Sequence, residues 1–257
     1  NSVTGGNGEF RRVQTLTYTT QGYDVESHGL SGLVSKRDYA NFDAPFDAER
    51  DETVGLSTVL LLEKEKSLAD TLSNTAIVTQ NVTLTGTDKY SDKENSAPVD
   101  DFEDARAAVK SGCGKAPDTA WMNWNVWNKL RFHPQLLDAL GFKFDRPGGL
   151  KEAELASAMG VKRIFIVDAM FESAKEGQTS ALVDVWGNHI WFGVCPENAQ
   201  VMQTSLGYRI GIKGQQPRKV YKEAKFNPPG STEILVEDEY DYLLSNLGAV
   251  YLIKDAI

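Results

Sequence analysis

With 257 residues, 41% hydrophobic and 25% charged, the chain has the balance of a soluble globular protein with room for one large domain or two ordinary ones. A formal net charge of −9 argues against a protein that grips nucleic acid over its whole surface, because such proteins need a dense positive face to release counterions from phosphate. No run of about 18 apolar residues is present to span a bilayer, no charged-then-apolar leader resembles a signal peptide, and a chain that begins at Asn1 is expected to have lost its front. Cys113 and Cys195 lack the spacing of a zinc site or a redox pair and read as free thiols of a reducing cytosol.

Asn1–Glu9 (NSVTGGNGE) is polar and glycine-rich and reads as an arm, free or laid on a neighbour. Thr15–Thr20 (TLTYTT) predicts a strand. Gln21–Asp43 is broken by Gly22, Gly29 and Gly32 yet carries Tyr23, Leu30, Leu33, Val34, Tyr39 and Phe42. A connection of about 20 residues inside a compact domain is generally functional, so we expect a long two-stranded excursion. Apolar side chains that such an arm cannot bury by itself point to burial against another subunit; a hairpin packed on its own chain is the plainer alternative.

Ala44–Ser73 predicts one long helix, a spine of roughly 40 Å at ~1.5 Å per residue. Pro45 suits its first turn, and Asp47, Glu49, Asp51 and Glu52 sit where the helix dipole favours negative charge. Val54, Leu61, Leu68 and Leu72 predict the packing stripe, with Leu62 and Ala69 beside them, while Glu63–Lys66 read as a solvated, internally paired surface. Gly55 is the point where such a helix would bend or break.

Thr75–Thr85 predicts a strand, Gly86–Ala97 a polar loop, and Pro98–Lys110 a helix stopped at Gly112. Thr119–Trp127 starts as a strand and turns into a helix broken by His133-Pro134; a short turn follows over Gln135–Leu140. Leu150–Met159 predicts a helix ended by Gly160, and Val161–Asp168 a strand of buried type. Thr179–Val194 predicts two strands hinged on Trp186-Gly187-Asn188, Ser205–Ile212 another, and Ser231–Ile257 two more around Ser245-Asn246. Arg209, Lys213, Arg218, Lys219, Lys222 and Lys225 form a locally basic stretch, either solvated or a site for anions or an acidic partner. Trp121, Trp124 and Trp127 at steps of three resemble a stacking platform, although one face packed into a core explains them more simply.

Chemistry finds little support. His28, His133 and His189 share no spacing that chelates a metal or serves a nucleophile. No nucleophile elbow, phosphate loop, dinucleotide fingerprint or zinc-protease motif occurs, and adjacent acids such as Asp100-Asp101 or Glu237-Asp238-Glu239 do not converge on one bond. We expect no catalytic centre, no cofactor and no metal.

The order of parts, with LTGTDKYSDKENSAPVDDFEDA (84–105), MNWNVWNKLRFHPQLLDAL (122–140), LKEAELASAMGVKRIFIVDA (150–169), VWGNHIWFGV (185–194) and DEYDYLLSNLGAVYLIKDAI (238–257), resembles the major capsid proteins of tailed bacteriophages. The resemblance implies an α+β, Hong Kong 97-like fold: an N-terminal arm (1–20), an extended E-loop (21–43), a peripheral domain with the spine helix (44–117, rejoined by 221–257) and an axial domain (118–220). It implies a non-enzymatic protein that assembles into hexamers and pentamers of an icosahedral virion shell, built in the host cytoplasm. Double-stranded DNA would be held by weak contact, and portal, scaffold or decoration proteins would be further partners. Contact between subunits is expected at Tyr23, Leu30, Leu33, Val34, Lys36, Arg37, Tyr39 and Phe42. Some relatives crosslink an E-loop lysine to an asparagine; Lys36 could take the first part, but Asp241 stands near the second, so a noncovalent shell is expected. Alternatives are an encapsulin-type nanocompartment and, from another class, a sugar-binding protein or enzyme using the tryptophans. Deleting residues 24–40 is expected to spare the fold and abolish assembly.

Overall fold

The computed structural model describes residues 22, 24–41, 47–142, 147–175, 177–198, 203–214, 218–226 and 228–257. The arm and the strand expected over Thr15–Thr20 lie outside them. The first elements are strand β1 (Glu26–Val34), the short helix α1 (Lys36–Asn41) and the spine, α2 (Ala48–Leu72).

α2 is continuous for 25 residues and passes through Gly55 without a break. Asp47 caps it, its carboxylate accepting from the backbone N–H of Glu49 at 3.0 Å and of Arg50 at 3.3 Å. Its packing face keeps the second half of the expected stripe, Leu68 and Leu72 with Leu62 and Ala69 beside them, but not the first. Val54 and Leu61 are exposed, and the inward row is Leu56, Leu60, Lys64, Leu68 and Leu72, spaced i, i+4. A lysine in the middle of that row hides it from hydrophobic periodicity. Nor are the charges all solvated: Lys64 Nζ donates to Asp238 Oδ2 at 2.7 Å in the interior, and Glu65 accepts from Trp186 Nε1 at 2.7 Å. Lys66 and Asp70 form the ordinary surface pair.

Next come β2 (Asn81–Thr83), α3 (Pro98–Cys113), β3 (Thr119–Asn123), α4 (Trp124–Leu130), α5 (Pro134–Ala139), α6 (Glu152–Met159) and β4 (Arg163–Val167). β5 (Met170–Glu172), β6 (Leu182–Asp184), β7 (Ile190–Gly193), β8 (Gly207–Ile210), β9 (Arg218–Lys225), β10 (Ser231–Leu244) and β11 (Val250–Lys254) follow. The strand expected over Thr75–Thr85 survives only as β2. α3 runs past Gly112 to a left-handed cap at Gly114 (φ 75°). Gly112 serves a close approach instead: a Cβ there would stand 2.7 Å from the Gly248 carbonyl oxygen.

Five strands form one sheet in the order β2-β11-β7-β3-β4. Side chains alternate between its faces. Ala120, Met122, Ile190, Phe192 and Ile253 point to a core closed by α3–α6, while Trp121, Trp191, Val250 and Leu252 meet Ala69 and Leu72 of α2 on the other side. β4 is the edge of this sheet among the described residues and only half-buried, not the buried strand expected, because no described strand covers its outer side.

The second sheet is organised by β10, which pairs antiparallel with β1 along one edge and with β8 and β9 along the other. Among the described residues 24–41, β1 is the one strand, and it pairs not within this segment, as the expected two-stranded excursion would, but with β10 at the far end of the chain. The two closing strands do not pair with each other either, since β10 and β11 enter different sheets. The strands hinged on Trp186-Gly187-Asn188 also part: β6 joins β5 in a ribbon, and β7 enters the five-stranded sheet. α2 crosses from one sheet to the other, its first half over β1 and β10 and its second half over the five-stranded sheet.

Candidate subunit interface

Of the residues expected at a subunit contact, Tyr23 and Phe42 lie outside the described residues. Leu30 is half-buried opposite Val236, and Val34 is buried with Ala48 and Ile234, so both fasten β1 to the body of the molecule. Leu33 is 48% exposed, and Lys36, Arg37 and Tyr39 are exposed on or beside α1. The Tyr39 hydroxyl reaches the Glu49 carboxylate and stands 2.9 Å from Thr232 Oγ1, which ties α1 to the start of the spine.

Strand pairing adds residues that sequence reasoning missed. Leu235 lies opposite Ser31 on one side and Tyr221 on the other, and Leu33 stands opposite Glu233, so Leu33, Leu235 and Tyr221 share the face of the sheet turned away from α2. Leu235 is the one apolar residue in the outward series Glu233, Leu235, Glu237, Glu239; that is the signal the sequence carried. At the end of the β9–β10 hairpin Phe226 is 93% exposed beside Pro228-Pro229. A large apolar side chain at a turn cannot be buried by its own hairpin. Leu182, Val183 and Met170 are also exposed, on the β5–β6 ribbon.

Three lysines of the basic stretch pair with acids on β9, β10 and α2. Lys219 meets Glu239 at 3.1 Å, Lys222 meets Glu49 at 2.6 Å, and Lys225 meets Glu233 at 2.6 Å and Glu223 at 2.9 Å. Lys222 and the Tyr39 hydroxyl hold the Glu49 carboxyl below its usual range, and Glu49 in turn raises the Lys222 ammonium. Arg209 joins Lys64 on Asp238, at 3.1 Å. These pairs staple β9, α2 and β8 to one another and engage Arg209, Lys219, Lys222 and Lys225, four of the six basic residues of the stretch.

The remaining chemistry-bearing side chains are scattered. His28 stacks on Tyr240, His133 is buried with Nε2 2.9 Å from Ser96 Oγ, and His189 Nδ1 accepts from the Asp255 N–H at 3.0 Å. Burial pushes the Cys195 thiol up to about 11. Trp121, Trp124 and Trp127 do not make a platform: Trp121 packs on Trp191, Trp124 faces outward, and Trp127 packs toward the helical core beneath Arg131. Among the described residues no group of three or more His, Cys, Asp or Glu is placed to hold a metal ion, and no helix is long and apolar enough to cross a membrane.

Fold comparison agrees with this spine-and-sheet arrangement. A phage-related protein from Bordetella bronchiseptica RB50 superposes with a TM-score of 0.71 over 91% of this chain and 76% of that one, at 22% identity. The capsid protein of Cyanophage P-SCSP1u gives 0.56 over 94% of this chain and 80% of that one, at 10% identity. The chain has the Hong Kong 97-like fold of phage capsid proteins. In sequence it is 24% identical over 199 residues to the major capsid protein of Pseudomonas phage JBD67, and 23% identical over 197 residues to that of Burkholderia phage BcepMu. These alignments cover 77% and 74% of this chain but 62% and 61% of the relatives, so the chain spans about three fifths of the length of the proteins it matches. No family model matches it.

Proposed function

We propose that this chain is the shell-forming part of a major capsid protein, which assembles into the hexamers and pentamers of an icosahedral virion around double-stranded DNA. The observation that carries the reading is a capsid fold over nine tenths of the chain, joined to similarity with two proteins named major capsid protein. The exposed apolar residues fit it. A shell subunit needs adhesive edges on several sides, and Leu33, Tyr221, Leu235, Phe226 and the β5–β6 ribbon give this chain apolar surface on its sheet face, its hairpin tip and its ribbon.

In this reading residues 21–43 with Tyr23, Leu33, Lys36, Arg37, Tyr39 and Phe42 meet a neighbouring subunit, while Leu30 and Val34 hold that segment to its own body. Residues 44–117 and 221–257 form the peripheral domain, and 118–220 the axial domain around the fivefold and sixfold centres. A chain of net charge −9 grips packaged DNA weakly, which leaves it free to move during filling. Asp241 in place of an asparagine leaves the shell noncovalent. Assembly in the host cytoplasm and contact with portal, scaffold or decoration proteins belong to the same reading.

Size-exclusion chromatography and negative-stain imaging of the purified protein test it. Closed shells or rings of five and six subunits are the expected outcome. A monomer at every concentration and ionic strength tried sinks it.

A further inference from the structure

A hollow of about 200 Å³ sits on the face of the second sheet turned away from α2, walled by Tyr221 and Leu235 with Ser31, Glu223 and Glu233 around them. Leu33, two residues from Ser31 on β1, extends its apolar surface. The surroundings are acidic: on the outward rows of β9 and β10, Glu223, Glu233, Glu237 and Glu239 stand against Lys219 and Lys225. An apolar hollow ringed by carboxylates suits an occupant that is apolar at its centre and basic at its margin.

The same chain carries such a surface at the end of the β9–β10 hairpin. Phe226 is 93% exposed there, and Pro228 and Pro229 restrict the turn that presents it. Lys36, at the start of α1, lies against this turn, since a Cβ at Gly230 would stand 3.4 Å from its Cδ. Lys36 and Arg37 are exposed, whereas the acid beside them, Asp38, turns its carboxylate onto Ser35 at 2.7 and 2.8 Å. The tip is thus an aromatic knob flanked by two cations. It cannot reach the hollow of its own subunit. Tyr221 lies five residues before Phe226, roughly 17 Å away at ~3.3 Å per residue, along a strand that pairing with β10 holds extended.

We propose that, in the shell this chain is read to form, the hairpin tip of one subunit seats on the sheet face of a second copy, a pairing that rests on that reading. Phe226 enters the hollow between Tyr221 and Leu235, and Lys36 and Arg37 face the glutamates around it. Tip and face are different surfaces of one subunit, so the contact runs head to tail, each copy giving a tip and receiving one.

Photo-crosslinking tests the pairing in the full chain. p-Benzoylphenylalanine is placed at Phe226, isotope-labelled and unlabelled chains are mixed before assembly and irradiation, and the linked peptides are sequenced. The expected links join position 226 of one chain to peptides carrying Tyr221 or Leu235 of the other, while the same probe at exposed Leu61 does not reach those peptides. Lys36→Glu with Arg37→Glu should lower the yield at least about fivefold with an unchanged unfolding midpoint, and Lys36→Arg with Arg37→Lys should keep it. Shells in which position 226 links only elsewhere, or only within its own chain, overturn the pairing and leave the shell reading standing, as does a yield indifferent to the charge reversal. A chain that stays monomeric at every concentration tried overturns both. Hydroxyl-radical footprinting of the unmodified chain gives a readout without the probe: on assembly, oxidation of Phe226 and Tyr221 should fall together several-fold, and protection of one without the other overturns the pairing.

Discussion

Single side chains decide how the spine is held. Asp238 is 2% exposed and takes hydrogen bonds from Lys64 on α2 and Arg209 on β8, with the Lys64 ammonium 4.2 Å from the Tyr240 ring centroid. A buried carboxylate facing two cations is tolerated only while all partners remain, so removing it strands Lys64 in the interior. Asp238→Asn should therefore cost about 3–5 kcal/mol in urea unfolding, and Lys64→Met less, because Asp238 then keeps Arg209. The buried histidines set an acid limit. Burial lowers the affinity of His133 and His189 for a proton below that of the unfolded chain, whose value is 6.5. The folded state thus binds fewer protons, and stability that is complete above that value is lost as the pH falls below it. The slope should be no more than about 1.4 kcal/mol per pH unit for each histidine. His133→Gln should make the fall between about pH 7 and pH 5 shallower when stability is measured by denaturant titration.

At the scale of elements, the spine separates two kinds of information. Its existence and its end were legible from the acids near its front and the unbroken propensity that follows, whereas its start, expected at Ala44, falls at Ala48 behind the Asp47 cap. Its buried face was legible only toward its end, at Leu68, Ala69 and Leu72; before them the row that packs includes Lys64, and the apolar pair Val54 and Leu61 points outward. Neighbouring leucines give a direct measurement: Leu60→Ala should destabilise by about 2–5 kcal/mol and Leu61→Ala by no more than about 0.5 kcal/mol. Equal losses would return the packing to the expected stripe. Asp47→Ala should cost about 1 kcal/mol, seen as reduced stability and faster exchange in the first turn of α2. α3 shows the same limit differently. Gly112 reads as a stop, but the helix needs a residue without Cβ there to meet Gly248, and that contact exists only once β11 and the turn before it have docked.

For the whole molecule, deleting residues 24–40 is no longer a clean test of assembly. β1 pairs with β10 along nine residues and Val34 closes a small core with Ala48 and Ile234, so the deletion would unroof the first half of α2. Surface substitutions serve better. Leu33→Asp with Phe226→Asp should leave the unfolding midpoint nearly unchanged, because both side chains are exposed, and should abolish shells or rings in negative-stain images. If assembly persists with both aspartates present, the sheet face and hairpin tip are not the adhesive surfaces.

By itself the sequence determined the spine helix, the α3–α6 segment, the absence of a recognisable catalytic motif and, through the order of these parts, the capsid fold. The elements come from local capping, periodicity and composition, which act within one stretch of chain, while the capsid fold came from the resemblance of their order to phage capsid proteins. Only the tertiary structure decided that β1 lies against β10, that the last two strands belong to different sheets, that Lys219, Lys222 and Lys225 pair with Glu49, Glu223, Glu233 and Glu239, and that Leu235 and Phe226 remain outside. Those outcomes rest on pairings between residues far apart in sequence, where register and shared burial, rather than the preference of any one segment, set which face of each element meets solvent.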